Sequence, residues 1–559
     1  MVSVEVIGRA EKIKYTQEEK EKALSYFVTS TTDSIYACTH NLPPEVFGAF
    51  GSFFSRNPKD LREHLFDAII SNIPGHELPP KEGAENLRRL VEGHYTSPAE
   101  ALKVGISRSQ QFFRTYYGKY SHKSIANTVW IPVVMNNVSQ LVARQLAYDQ
   151  LAFFIEQSTR FVKFDPGSYY KDKDVMKSAL AETYVNGVEA LVSAYPRLFE
   201  FGKKYYESQI PFEKWLDGQD AETKTRLEKS QRRKYEREAE GKTFDDVRFL
   251  LPQAIQTNIA FILDARSLEY DIAAWKGHPL KEIIETVELL EKHAGLIAPS
   301  ILKHTSKDNF YEENYNEYFK AFALNLEVKP ENKKVNIIDY APDLLDKLVA
   351  LELKRNNTGT LLPYLQKAQQ MSLDEKIKII ERVVENRKSF DEWIEVEETF
   401  DIPKITVEFI TDIGAVRDLR RHQKNDRDES RYTLDMGYTI PPAIDDGYGK
   451  DARRIFVEAM EKAHEAEKKL RESFPHQAQY VIPMACNHSL IMSLGIDQLQ
   501  YLIYTRSTPE GNWSYRRDMF NLTEKVLQIY PWLVGYKEYP QGKNIIQVYG
   551  GAPFTKKMK

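Results

Sequence analysis

The stretch LRRHQKNDRDESRYT, Leu419–Thr433, concentrates eight charged side chains within fifteen residues. Five are cationic and three are acidic: Arg420, Arg421, Lys424, Arg427, Arg431, Asp426, Asp428 and Glu429. Guanidinium groups bind phosphates and carboxylates through paired hydrogen bonds, so this cluster could hold an anionic ligand. A solvated helix surface has the same composition. The pattern leaves both interpretations open.

A second set of candidate residues is Glu156, Ser158 and Arg160, which lie in the segment IEQSTRFVKF. This segment begins with the last residue of the apolar run LAFFI. The apolar run indicates a segment that enters the core. Buried charges need partners, and a bound ligand or a structural ion pair would each supply them. We favour a ligand, because a hydroxyl and a guanidinium together suit a phosphate group.

The elements that must position these residues are mostly helices with a few short strands. The apolar run Thr128–Val162 predicts a long buried helix with a break near Pro132. PKITVEFITDIGA alternates in hydrophobicity and predicts a strand just before the charged cluster. Helical periodicity also predicts helices in Pro279–Ile297 and Asp451–Phe474, and a polar, solvated helix in Thr223–Lys242. We therefore expect an α+β fold.

The order of these segments indicates an internal duplication. LLPQAIQTNIAFILDARSLEYDIAAWKG and VIPMACNHSLIMSLGIDQLQYLIYTRSTPEGNWSYRR share an apolar-Pro start, and each is predicted to continue as a helix–turn–helix. The polar, Pro-containing stretch VKPENKKVN, residues 328–336, is the best candidate for a linker. The prediction is an N-terminal half, 1–327, and a C-terminal half, 337–559, each with a small mixed sheet flanked by long helices.

Composition narrows the class of protein. The chain has 559 residues, 42% hydrophobic and 28% charged, with a net charge of −4, which is typical of a globular protein. The charge gives no basic field for nucleic acid, for which only KSQRRKYER offers a basic stretch. The chain has only two cysteines, so we predict no disulfide framework. Its histidines lack the spacing of metal ligands, so we predict no metal site. Without a signal peptide or spanning segment, we expect a cytoplasmic protein.

The first half resembles the signature of the flavin-dependent thymidylate synthase family, R-H-R-x-x-S-x-N-E-x-S-x-R-Y. Glu156, Ser158 and Arg160 match its end without gaps, and Gln145 fits the Q-L that precedes it. The R-H-R places are filled by Tyr148, Asp149 and Gln150. YSHKSIANT resembles the family's G-H-x-S-x-x-E-H segment and keeps His122 and Ser124.

The second half retains other parts of the same pattern. Arg421 and His422 keep the R-H pair, Gln423 replaces the third signature arginine, and Glu429 falls on the Glu place. RSTPEGNWSYR resembles the family's R-x-x-x-H-A-Q-W-E-I-R. It keeps both arginines and has asparagine for glutamine, at Arg506, Arg516 and Asn512. The resemblance thus covers most of the chain as two diverged copies.

The resemblance implies reductive methylation of dUMP to dTMP, with FAD as cofactor and NADPH and methylene-tetrahydrofolate as co-substrates. Arg516 would be catalytic, because a cation beside the uracil ring stabilises developing negative charge. The residues expected to bind the nucleotide are Gln145, Glu156, Ser158, Arg160 and Arg516. The residues expected to bind the cofactor are His122, Ser124, Arg421, His422, Arg506 and Asn512.

Family members share active sites between the subunits of a tetramer, so the resemblance implies a homodimer of this two-copy chain. Half one would supply the nucleotide-phosphate cradle, and half two the flavin-side and ring-polarising arginines. The alternative is a non-catalytic relative that binds a nucleotide or flavin or serves assembly. Loss of the third signature arginine favours that alternative, whereas survival of complementary residues in the two halves favours an enzyme. His122 as a cap, and Arg506 and Arg516 as surface ion pairs, remain open structural interpretations.

Overall fold

The computed structural model describes residues 3–7, 10–39, 41, 58–63, 65–66, 84, 87–88, 90–92, 126–127, 129–298, 301–310, 334–384 and 398–534. Its strands are β1 (Ser3–Ile7), β2 (Ala10–Lys14), β3 (Ile35–Ala37), β4 (Trp130–Ser139), β5 (Phe153–Glu156), β6 (Gln256–Asp264), β7 (Val335–Asp339), β8 (Lys404–Asp412), β9 (Asp426–Glu429) and β10 (Asn487–Gly495). His122, Ser124 and most of the predicted linker lie outside the described residues.

The described helices lie between the strands and after the last strand. They are α1 (Gln17–Leu24), α2 (Gln140–Tyr148), α3 (Ala181–Gln209), α4 (Phe212–Asp217), α5 (Ala221–Thr225), α6 (Glu228–Val247), α7 (Ala265–Trp275), α8 (Lys281–Ile297), α9 (Leu344–Arg355), α10 (Leu361–Gln370), α11 (Leu373–Val384), α12 (Ile413–Leu419), α13 (Lys450–Ser473), α14 (Ile496–Ser507) and α15 (Trp513–Ile529). Among the described helices, none is both long and apolar enough to cross a membrane.

Two four-stranded antiparallel sheets repeat one topology. One has the order β3-β4-β6-β5 and the other β7-β8-β10-β9. The register repeats as well, because Glu156 pairs with Ile259 and Glu429 pairs with Leu490, in each case the fourth residue of the central strand. The succession strand, helix, strand recurs as β4–α2–β5 and β8–α12–β9. The α+β fold and its two related halves are confirmed, but each sheet is antiparallel throughout and not mixed as predicted.

The prediction of one long helix over Thr128–Val162 was wrong. The segment forms β4, turns into α2, and returns as β5 at the edge of the sheet. Strand β4 is buried along most of both faces, so it lacks the alternation that distinguishes a half-exposed strand from a buried helix. The strand predicted in PKITVEFITDIGA is confirmed as β8, whose polar and apolar residues do alternate.

Capping side chains mark three of the places where a strand turns directly into a helix. Ser139 Oγ accepts a hydrogen bond from the Val142 amide at the start of α2. Asp264 begins α7 in the same way, and Asp412 begins α12 by accepting from the Ala415 amide at 2.8 Å. Each cap satisfies an amide that the helix leaves unpaired, which lets the chain change direction without a loop.

Two other helix predictions are confirmed, whereas the single solvated helix predicted in Thr223–Lys242 was wrong, because that segment is broken after Thr225 and buries Gln231, Tyr235 and Ala239 along one face. The amphipathic segments Pro279–Ile297 and Asp451–Phe474 form α8 and most of α13. The polar segment Thr223–Lys242 spans the end of α5 and most of α6. Helix α6 is exposed at its start, as expected, but its last turn, Thr243–Val247, is buried. The two predicted helix–turn–helix segments instead begin with a strand, β6 or β10, followed by a helix pair.

The chain divides into two compact units, each assembled from separate stretches. Unit 1 comprises residues 1–193, 252–327 and 468–481, and unit 2 comprises residues 194–251, 328–467 and 482–559. In unit 1, residues such as Leu24, Tyr36 and Leu61 pack against β4 and β6. In unit 2, β8 and β10 pack against α9, α12, α14 and α15. The halves 1–327 and 337–559 and their linker stay a prediction.

Candidate functional site

In unit 1 the segment Glu156–Arg160, which matches the family signature, begins at the end of the edge strand β5. Glu156 is the last residue of β5 and is buried, while Ser158 and Arg160 are partly exposed in the turn that follows. The Ser158 hydroxyl accepts a hydrogen bond from the Arg160 amide at 3.2 Å, and the Arg160 guanidinium lies 5.9 Å from the ring centre of Phe161. The three residues of the E-x-S-x-R pattern therefore lie in one short segment at the sheet edge.

A pair of amide side chains holds this strand end against the neighbouring strand. The Gln157 amide donates to the Asn258 carbonyl at 2.8 Å, and Asn258 Nδ2 donates to Gln157 Oε1 at 3.1 Å. Asn258 Oδ1 also accepts from the backbone of Asn137, which has a φ of 56° beside an irregularity in β4. Gln145 lies half-buried on α2.

The equivalent acid in unit 2 is enclosed in a buried ion pair. Arg420 Nε and Nη2 donate to the two carboxylate oxygens of Glu429 at 2.7 and 2.6 Å, and Nη2 also donates to the Tyr432 hydroxyl at 2.8 Å. The side chains of Arg420 and Glu429 are 3% and 0% exposed. Two parallel charge-assisted hydrogen bonds of this kind neutralise the acid in place.

The loop between α12 and β9 is closed by contacts to its own carbonyl groups. Arg427 Nη1 donates to the carbonyls of Arg420 and His422, the latter at 3.2 Å. Asn425 Nδ2 donates to the His422 carbonyl at 2.7 Å, and Lys424 adopts a φ of 57°. The charge cluster Leu419–Thr433 is therefore partly buried and partly exposed, since Arg420 and Arg427 are buried and Arg421 is exposed.

His422 and Arg506, two of the predicted cofactor ligands, contact each other. Arg506 Nε donates to His422 Nε2 at 2.8 Å, which leaves the imidazole proton on Nδ1. Burial and the neighbouring Arg506 charge lower the pKa of His422 well below its usual value, so the ring is neutral. His422 Nδ1 is buried without a hydrogen-bond partner among the described residues. That unsatisfied donor points to a missing acceptor.

Arg516 and Asn512 make internal contacts at the start of α15. Arg516 is 1% exposed, and its Nε donates to the Ser507 carbonyl at 3.2 Å. Asn512 is the N-cap of α15, because its side chain accepts from the Ser514 amide at 3.0 Å, and its Nδ2 donates to the Asp245 carbonyl. Burial lowers the pKa of both Arg506 and Arg516. Their predicted roles toward a ligand stay predictions.

The donors of unit 2 fit the phosphate part of a flavin dinucleotide. Exposed Arg421, half-buried Arg506 and the unsatisfied Nδ1–H of His422 are all donors, which is what a diphosphate requires. No group of three or more His, Cys, Asp or Glu side chains within the described ranges could hold a metal ion.

Several charged residues of unit 2 that the sequence did not single out belong to a buried network. Arg248 is 2% exposed and lies 3.4 Å from both Asp418 Oδ2 and the Gly414 carbonyl. Buried Asp518 accepts hydrogen bonds from Arg517 and Thr411. Nothing in the local sequence distinguishes these residues from surface charges, because their burial depends on segments distant in the chain.

The fold and register define a tandem-duplicated α+β protein with two copies of one signature segment. The profile of the thymidylate synthase complementing protein family matches residues 81–300 and 346–532. These two matches cover most of the chain, one in each copy. The chain belongs to the thymidylate synthase complementing protein family.

Two similar proteins align with most of this chain, and a third aligns with about one third of it. A UPF0159 protein of Chlamydia muridarum is 25% identical over 541 residues, which cover 94% of each chain. A UPF0159 protein of Thermoplasma acidophilum is 24% identical over 78% of this chain and 91% of its own. A flavin-dependent thymidylate synthase of Clostridium tetani is 25% identical over 189 residues, 32% of this chain and 67% of its own.

Proposed function

We propose that the protein is a flavin-dependent thymidylate synthase that methylates dUMP to dTMP with methylene-tetrahydrofolate and NADPH. The observation that carries this proposal is the segment Glu156–Arg160, which keeps the acid, hydroxyl and guanidinium of the family pattern in frame at a sheet edge. The similarity to a Clostridium tetani protein of that name also supports it.

In this proposal the Glu156 segment binds the nucleotide. A carboxylate accepts hydrogen bonds from N–H or O–H groups, whereas the hydroxyl of Ser158 and the guanidinium of Arg160 donate to a phosphate. Gln145 contributes an amide from the neighbouring helix α2.

A flavin in unit 2 would be held through its phosphates by Arg421, His422 and Arg506. By their places in the family pattern, His122, Ser124 and Asn512 are also proposed to bind the cofactor. When bound, FAD would supply the hydride chemistry that amino-acid side chains lack. The neutral His422 suits this role, because its Nδ1–H donates whereas its Nε2 is already engaged by Arg506.

Anaerobic mixing of the purified protein with NADPH, dUMP and methylene-tetrahydrofolate tests the proposal. We expect stoichiometric flavin absorbance, bleaching on addition of NADPH, and dTMP formation. Arg160→Ala should abolish dTMP formation, whereas Lys177→Ala, a change of an exposed cation in the same unit, should not. Protein that binds neither flavin nor dUMP would refute the proposal. Bound flavin without dTMP formation would support the non-catalytic alternative.

We also propose that the chain forms a homodimer. Among the described strands, β5 is the edge of its sheet, and three exposed aromatic residues lie around it, namely Trp130, Phe153 and Phe161 at 43%, 56% and 57% exposure. An unpaired edge with large apolar side chains is a surface that proteins normally cover. Sedimentation velocity should report a dimer, and Phe153→Glu should shift the population toward monomer.

A further inference from the structure

The loop of residues 157–168, which carries two of the proposed nucleotide ligands, is anchored to strand β6 at both ends. At its start, the Gln157 amide donates to the Asn258 carbonyl at 2.8 Å, and Asn258 Nδ2 donates to Gln157 Oε1 at 3.1 Å. At its end, the Gln256 amide donates to the Ser168 carbonyl at 3.1 Å, and Ser168 Oγ donates to Gln256 Oε1 at 2.9 Å. The two anchoring residues are two positions apart on β6, so their side chains share one face of the sheet.

The two anchors meet at one residue of strand β4. Asn258 Oδ1 accepts from the Asn137 amide at 3.0 Å, and Gln256 Nε2 donates to the Asn137 carbonyl at 2.9 Å. Asn137 lies in a bulge, because the register of β4 with β6 shifts between Met135 and Val138. Its φ of 56° is in the left-handed region. Both contacts use the backbone of Asn137, so the anchors depend on its conformation and not on its side chain.

The second sheet is built without these features. Its strands β8 and β10 pair along their described length without a shift of register. Ser489, the third residue of β10 as Asn258 is of β6, donates to Glu408 Oε1 on the adjacent strand at 2.7 Å. The bulge and the amide anchors therefore accompany the copy that matches E-x-S-x-R without gaps. Because a sheet of the same topology forms without them, we assign them to the loop rather than to the sheet.

We propose that Asn258 and Gln256 are positioning residues, which fix the loop of residues 157–168 so that Ser158 and Arg160 meet the phosphate of the nucleotide. The inference rests on the proposed function for the identity of the ligand. Asn258 is 8% exposed, and its side chain is the link between the bulge and the start of the loop. A loop that is already held in one conformation loses less entropy when the ligand binds.

Asn258→Ala tests the inference in the full-length protein. We expect the KM for dUMP to rise about tenfold, because the loop must then be ordered by the ligand. The kcat should change less than about twofold, because contacts to the phosphate are the same in the ground state and the transition state. Ser489→Ala, the equivalent change in the second sheet, should leave both constants unchanged. A purely structural role would lower the amount of active protein and hence the apparent kcat, but would leave the KM unchanged.

Asn137 provides a second pair of variants, which change the conformation of the bulge. Asn137→Gly keeps both backbone contacts and tolerates the positive φ, so it should have the wild-type KM. Asn137→Val disfavours the left-handed conformation, because valine is β-branched, and should raise the KM as Asn258→Ala does.

Hydrogen exchange measures the anchoring of the loop without substrate. The amides of residues 158–165 should exchange about tenfold faster in Asn258→Ala than in the wild type, and at the wild-type rate in Ser489→Ala. The inference is overturned by a wild-type KM in folded Asn258→Ala, by equal KM values in Asn137→Gly and Asn137→Val, or by unchanged exchange in the loop. If the wild type neither binds nor converts dUMP, the proposed function fails, and the exchange rates alone decide whether Asn258 anchors the loop.

Discussion

Glu282 makes the stability of unit 1 depend on pH near neutrality. This residue lies in the first turn of α8 and is 6% exposed. Its carboxyl group accepts hydrogen bonds from the Ser139 amide and the Tyr480 hydroxyl, both at 2.8 Å. Burial raises the pKa of Glu282 to about 7 although these two donors lower it, and the nearby Asp172 adds to the increase.

The sign of the effect follows from this raised pKa. Because the pKa of the carboxyl is near 4.5 in the unfolded chain and about 7 in the fold, folding favours the protonated acid. The contribution to stability is complete below pH 4.5 and is lost as the pH rises through 7. Between pH 5 and pH 8.5 the loss is roughly 2 to 3 kcal/mol.

Glu282→Gln isolates this contribution. A glutamine oxygen can accept from the Ser139 amide and its Nε2 can donate to the Tyr480 oxygen, and the side chain does not titrate. Between pH 5 and pH 8.5, the free energy of unfolding in urea should fall more in the wild type than in Glu282→Gln. The expected difference is roughly 2 to 3 kcal/mol. Glu288→Gln, on the exposed face of α8, should follow the wild type.

Hydrogen exchange provides a local readout of the same change. The Ser139 amide and the segment 477–481 should exchange faster in the wild type at pH 8.5 than in Glu282→Gln, after correction for the intrinsic pH dependence of exchange. The same pH dependence of stability in the wild type and in Glu282→Gln would refute the reasoning, because no other change between the two proteins titrates.

Three further predictions concern buried polar groups. Arg248→Ala should lower the free energy of unfolding by about 1.5 to 3 kcal/mol in urea, because it removes a buried guanidinium that lies 3.4 Å from Asp418, whereas exposed Arg237→Ala should change it by less than about 0.5 kcal/mol. Asn512→Ala should lower the free energy of unfolding in urea by about 1 kcal/mol, because it removes the cap of α15, and Asn512→Asp should also be less stable because it replaces the donor to the Asp245 carbonyl with a buried carboxylate. Burial raises the pKa of Cys38 to about 12 and also that of Cys486, so neither should react with a thiol reagent at pH 8 without denaturant.

The sequence predicts an element well where only one of its faces is buried. Strand β8 alternates between buried and partly exposed residues, and α13 has a polar face opposite its buried residues, so both were correctly predicted. Strand β4 has few exposed positions and was mistaken for a helix. Ser139 and Asp412 each end a strand and begin a helix. The prediction of one helix over Thr128–Val162 did not use Ser139 as a helix start.

The chemistry of a charged residue depends on contacts that the sequence does not contain. Counting along the chain aligned Arg421 and His422 with the family signature, but the buried partner of Glu429 is Arg420, one residue earlier. The pairing of Arg506 with His422 joins residues 84 positions apart. The spacing of the residues predicted which of them belong to one copy. The partner of each charged side chain could be identified only from the packed structure.

The two copies also use one pair of equivalent positions differently. Tyr480 and Phe249 lie in short 3-10 turns, and their carbonyls accept from Ala254 and Ala485, respectively. In unit 2, Phe249 stacks on Trp513 with ring centres 5.4 Å apart.

In unit 1, Tyr480 instead donates to Glu282, which occupies the place of Trp513 in the first copy. An aromatic stack is insensitive to pH and needs no hydrogen-bond partner, whereas a buried acid is stable only with its donors in place. Buried acids with a raised pKa occur in both units, because burial raises the pKa of Asp412 and Asp518 in unit 2 as it does that of Glu282 in unit 1. The exchange of Trp513 for Glu282 therefore changes the pH dependence of stability at this one position of the repeat.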